Sequence, residues 1–88
     1  MADTANLVTV TMHYFAAVRA RLGRDHERME FPESTDDRAV LALLGERHPA
    51  IAPLLPPCRL AVDHVFVRGS LFLRADAEVA VIPPVSGG

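Results

Sequence analysis

The groups in this chain best able to do chemistry are a carboxylate and a thiol. The carboxylate is that of Gly88, the last residue of Val85-Ser86-Gly87-Gly88, and the thiol is that of Cys58, the single cysteine. Four histidines, His13, His26, His48 and His64, stand apart from one another and from Cys58. Their spacing fits neither a helix-face nor a finger-type metal site, and no glycine-rich phosphate loop is present. No metal ligand set is expected. Cys58, between Pro57 and Arg59, reads as a small buried hydrophobe; in the alternative, the adjacent guanidinium would depress its pKa and make it a nucleophile. Asp63-His64 has the composition of an acid–base pair, but it stands between two apolar runs, where turn residues belong.

The Gly88 carboxylate gains interest from what precedes it. Glu78-Val79-Ala80-Val81-Ile82 is strand-like and runs into Pro83-Pro84, so it reads as a strand at a sheet edge that releases a tail. Each proline lacks an N–H and holds φ near about −65°, which ends strand pairing and sends the chain out stiffly. The residues from Pro83 to Gly88 would then reach up to about 20 Å from the fold. A glycine pair at the tip is slim enough for a channel in another protein and can take backbone angles closed to other residues. A free carboxylate is an unreactive acyl donor. Chemistry at Gly88 therefore needs activation by a partner, an acyl-adenylate being the readiest form.

The elements that must position this tail follow from periodicity. Leu7 to Tyr14 alternates Val8, Val10 and Met12 with polar residues, the pattern of a half-buried strand. Phe15, Val18 and Leu22 then fall at helical spacing, with Gly23 as the C-terminal cap of a short helix. Asp25 to Phe31 alternates again, with Glu27, Met29 and Phe31 on one face, until Pro32 closes a peripheral strand. Ser34-Thr35-Asp36-Asp37 supplies capping hydroxyls and early acids for the start of the main helix, whose apolar stripe is Val40, Leu43 and Leu44 and which closes at His48-Pro49, with Gly45 weakening its last turn. Ala50 to Pro57 is an irregular connection that carries Ile51, Leu54 and Leu55 to the core. Leu60-Ala61-Val62 and Val65-Phe66-Val67 flank a tight turn at Asp63-His64, and Gly69 and Asp76 mark turns before the last strand. Strands on both sides of one dominant helix predict an α+β fold with a mixed sheet wrapped over that helix.

Composition bounds the class. The 88 residues are half apolar and 23% charged, which suits one small folded domain over 1–88, with a polar leader at 1–6 and an extended tail at 83–88. The net charge of −2 with no basic cluster argues against nucleic-acid binding. The charged residues leave no run approaching the ~20 apolar residues of a membrane span, and a single cysteine with no signal-type leader points to the cytoplasm. All nine basic residues are arginine, so the chain cannot form lysine-linked polymers of itself.

Two segments at the right separation carry a resemblance to a known family. Glu78-Val79-Ala80-Val81-Ile82-Pro83-Pro84-Val85-Ser86-Gly87-Gly88 is similar to the terminal strand and tail of the small sulfur-carrier subunits of molybdopterin synthase, the MoaD/ThiS group of ubiquitin-like β-grasp proteins. Tyr14-Phe15-Ala16-Ala17-Val18-Arg19 resembles the start of that family's first helix. The resemblance implies a β-grasp fold with a flexible Gly-Gly tail and a non-catalytic carrier. An adenylating enzyme of the ubiquitin-activating type would use ATP to couple AMP to Gly88, and a sulfur donor protein would displace AMP to leave a thiocarboxylate. The tail, Pro83 to Gly88, would then enter the large synthase subunit in a heterotetramer, where the sulfur attacks cyclic pyranopterin monophosphate. ATP and the pterin precursor would be bound by partners, and this chain would bind no cofactor.

A carrier needs a docking face. Strand parity places Phe15, Phe66 and Ile82 on the sheet face away from the helix, and the resemblance implies that they meet the activating enzyme and the large subunit, with Arg19 near the former. Asp63-His64 and Ala75-Asp76-Ala77-Glu78 depart from the family's usual loops. The alternatives are a carrier for thiazole, cysteine or tRNA thiolation, a ubiquitin-like modifier joined to lysines of other proteins, and a plain interaction module.

Overall fold

The computed structural model describes residues 6–84. Strand β1, Leu7–Tyr14, buries Val10, Met12 and Tyr14 on one face, as its alternation requires. The chain stays extended through Phe15 (φ −136°, ψ 156°) and turns at Ala16, whose φ of 52° lies in the left-handed region. Helix α1, Ala16–Leu22, buries Val18 and ends on Gly23 at φ 81°, whose N–H bonds back to the Arg19 carbonyl at 2.9 Å. Strand β2, His26–Pro32, returns antiparallel to β1 and forms the peripheral strand that the sequence predicts.

The next segment departs from expectation. Ser34–Asp36 forms a short strand, β3, before helix α2, Asp37–Arg47. The cap falls within the expected segment, but a carboxylate supplies it in place of the expected hydroxyls: Asp36 accepts a hydrogen bond from the Ala39 N–H at 2.8 Å. Both roles coexist because an N-cap residue has extended backbone, here φ −147° and ψ 168°. The partner of β3 is β6, Ser70–Phe72, which the sequence reading left without a strand. Three-residue strands carry too little alternation to be read from sequence. Helix α2 buries Val40 and Leu44, whereas Leu43 is exposed and drops out of the expected stripe.

A 3₁₀ helix, Pro49–Leu54, organises the expected irregular connection and brings Ile51 into the core. It crosses α2 at Gly45, where an added Cβ would lie 3.3 Å from the Ala52 Cβ. That glycine makes room for the connection as well as weakening the helix. Strands β4, Arg59–Val62, and β5, Val65–Val67, form the predicted hairpin. Asp63 and His64 both have positive φ, 49° and 72°, the backbone of a type I′ turn. The strain is offset by anchoring, since the Asp63 carboxylate accepts from the Glu78 N–H at 2.9 Å.

Strand β7, Glu78–Ile82, corrects one expectation. It lies in the middle of the five-stranded sheet β2-β1-β7-β4-β5, parallel to β1 and antiparallel to β4. A central strand is covered on both sides by neighbours, which suits an apolar run such as Val79-Ala80-Val81-Ile82 better than an edge does. The mixed sheet packs one face against α2, with Val79, Val81, Leu60, Met12 and Phe31 meeting Val40 and Leu44 in a single core.

Polar side chains also lock the layers. Glu27, on the inward face of β2, accepts the Tyr14 hydroxyl hydrogen from β1, the His48 Nε2–H from the end of α2 at 2.6 Å and an Arg24 N–H at 2.7 Å. Burial pushes the Glu27 carboxyl upward, but the hydrogen bonds from Tyr14 and His48 and the charges of His48 and Arg24 outweigh it and hold it below the usual carboxylate range. Burial, then the bond to Glu27 and its negative charge, raise the Tyr14 hydroxyl far above an ordinary tyrosine.

Candidate tail exit and docking face

Strand β7 ends at Ile82, and Pro83-Pro84 leave the sheet between the end of β1 and the start of β4. The pairing ends where the donors end, as expected for two successive prolines. Val85, Ser86, Gly87 and Gly88, on which the expected acyl chemistry falls, lie outside the described residues, as do 1–5 of the leader. Asn6 is tied down, its carbonyl accepting from the Glu33 N–H at 2.8 Å.

Around the exit, the sheet face opposite α2 is apolar. Phe15 is 43% exposed and Phe66 52%. The extended backbone of Phe15 keeps strand parity to the end of β1, so the turn into α1 comes one residue too late to pull the ring into the core. Together with Ile82, the two rings border a groove of about 380 Å³ floored by Ala61 and Ala80. These alanines face each other across the β4–β7 pair, and their small side chains leave the groove its depth. His13, His64 and Glu78 line its far end. His13 Nε2 is buried without a hydrogen-bond partner among the described residues and lies 3.7 Å from the Glu78 carboxylate.

Phe15, Phe66 and Ile82 are thus brought together, whereas Arg19 is not. It projects from α1 over a separate depression shared with Gly23, Arg24 and Asp25. The sequence reading missed Arg59, whose guanidinium carbon stands 4.3 Å from the centre of the Phe66 ring. The signal was present in parity: Arg59 faces outward because Leu60 faces the core. Arg59 turned toward Phe66 does not activate Cys58. That thiol is buried, donates to the Leu54 carbonyl at 3.2 Å and has its pKa raised by burial. Among the described residues no group of three or more His, Cys, Asp or Glu side chains is placed to hold a metal ion, and no helix is long and apolar enough to cross a membrane.

Known proteins resemble this chain in sequence and in fold. The chain is 34% identical over 84 residues to a Caenorhabditis briggsae protein named molybdopterin synthase sulfur carrier subunit, covering 93% of this chain and 100% of the relative. The fold matches a Pyrococcus furiosus protein provisionally named molybdopterin converting factor, subunit 1, with a TM-score of 0.76, 28% identity and coverage of 89% and 99% of the two chains. It also matches a chain in the Helicobacter pylori complex of subunits 1 and 2 of molybdopterin-converting factor, with a TM-score of 0.66, 16% identity and coverage of 92% and 100%. The mixed sheet grasping one helix is the ubiquitin-like β-grasp fold. The model of the ThiS family matches residues 12–88, and this chain belongs to the ThiS family.

Proposed function

We propose that this chain is the sulfur carrier of a molybdopterin synthase. Its Gly88 carboxylate is adenylated by a ubiquitin-activating-type enzyme that consumes ATP, a sulfur donor protein displaces AMP, and the resulting thiocarboxylate delivers sulfur to cyclic pyranopterin monophosphate in the large synthase subunit. Catalytic acids and bases belong to the partners, and this chain contributes delivery.

The observation that carries the reading is the exit geometry. The central strand β7 runs from the anchored sheet directly into Pro83-Pro84 beside the exposed groove of Phe15, Phe66 and Ile82. A face that seats a partner and a strand that points onward into it are what delivery of Gly88 requires. Full-length similarity to relatives named as molybdopterin synthase sulfur carriers supports the choice of pathway.

Mass spectrometry tests the chemistry. The chain incubated with its activating enzyme, ATP and a sulfur source gains the mass of one oxygen-to-sulfur exchange at Gly88. Absence of that gain, with the partners proven active on another carrier, would overturn the proposal. Capture of a large synthase subunit in preference to a thiazole synthase tests the pathway separately.

A further inference from the structure

The outer sheet face carries charges as well as apolar groups, and Arg59 and Glu78 stand at opposite ends of the β4–β7 pair. At the exit end Arg59 stands opposite Ile82 in the β4–β7 pair, exposed, with its guanidinium 4.3 Å from the Phe66 ring centre. The arginine ion pairs of the described residues are Arg24 with Glu27 and Arg28 with Asp76, so Arg59 holds no carboxylate there. Beyond the Ala61–Ala80 pair, at the far end, stands Glu78, beside an Asp63 whose carboxylate is already engaged by the Glu78 backbone.

We propose that Arg59 is a specificity determinant of this docking face, pairing with a carboxylate on a partner surface that is otherwise apolar opposite Phe15, Phe66 and Ile82. The inference rests on the reading above, in which that partner is the large synthase subunit. A guanidinium stacked on Phe66 is held at the apolar patch, so any surface that covers the ring also strips water from the cation. A desolvated cation without an anion costs several kcal/mol. A guanidinium over the ring can still offer two N–H groups for a bidentate bond to a carboxylate, which arginine can make and lysine cannot. Aromatic and arginine side chains at the centre of a covered patch are also those on which binding energy concentrates. A partner turned end for end would set its carboxylate against Glu78, so the pair also selects the orientation that points Pro83-Pro84 one way.

The test is equilibrium binding of the full-length chain to the large subunit at low and high salt. Arg59→Met keeps the stem over Phe66 and removes the charge; it should weaken binding about 10-fold or more, and Arg59→Glu about 100-fold or more. Both losses should shrink as salt rises, and Arg59→Lys should fall between wild type and Met. Thermal melting of each variant should match wild type, because Arg59 is exposed and makes no ion pair among the described residues. Arg59→Met binding within about twofold of wild type at low salt would show the cation left wet at the rim and overturn the inference while leaving the carrier reading intact. A wild-type chain that fails to bind the large subunit at either salt would overturn the carrier reading and this pairing with it.

Discussion

Replacing Glu27 with alanine should cost this domain a large share of its stability. Three donors from separate elements converge on that carboxylate: Tyr14 on β1, His48 at the end of α2, and Arg24 before β2. Tyr14 is fully buried, so its hydroxyl would lose its carboxylate acceptor and keep only the weak Met29 Sδ at 3.8 Å, at about 1–3 kcal/mol. The side chain of His48 is 16% exposed and recovers part of its hydration, which suggests about 1 kcal/mol. Arg24 is half exposed, and its pair adds about 0–1 kcal/mol. The total is about 3 kcal/mol, or a fall in Tm of about 12–24 °C for a domain of this size. Glu27→Gln keeps an acceptor but not the charge and should lose roughly half as much. The sign with pH is fixed by the depressed Glu27 pKa. The ion-paired contribution is fully present above the usual glutamate value of 4.5 and is lost as pH falls through the lower folded-state value. Urea denaturation of wild type, Glu27→Gln and Glu27→Ala at neutral pH and below pH 4.5 measures both effects. A Glu27→Ala cost under about 1 kcal/mol, typical of a surface carboxylate, would refute the reasoning, as would a wild-type advantage over Glu27→Gln that grows on acidification.

Other expectations follow from single features. Deleting Gly87-Gly88 should abolish sulfur transfer and leave Tm within about 2 °C of wild type, since the paired part of β7 ends at Ile82; a loss of several degrees would show that the deletion reaches the fold. Native Cys58 should react with thiol reagents much more slowly than the urea-unfolded chain, because burial raises its pKa and its Sγ–H is engaged by Leu54; equal rates would refute this. Gly45→Ala should yield none of the ~1 kcal/mol that helix propensity promises, since the new Cβ meets the Ala52 Cβ at 3.3 Å, and a rise in Tm would show that the 3₁₀ helix yields easily.

Local pattern determined much of this molecule. Alternation in Leu7–Tyr14, His26–Pro32 and Glu78–Ile82 set which side chains face the core, and because parity has a period of two it also set which face outward. The outward placement of Phe15, Phe66 and Ile82 was legible for that reason. So were a helix start within residues 34–37, the Gly23 cap and the turn at Asp63-His64, each a property of a few neighbouring residues. The exit at Pro83-Pro84 likewise needed nothing but the order of its residues. What only the tertiary structure decided was which elements became neighbours. It moved β7 from the expected edge to the centre of the sheet, paired Ser34–Asp36 with Ser70–Phe72, and made Gly45 a crossing point. It brought Tyr14 and His48 to Glu27 across 13 and 21 residues of chain, and laid Arg59 on Phe66 between two strands. Period and capping are governed by the backbone within a turn or two, whereas strand order, polar locks and charge placement depend on which distant surfaces bury one another.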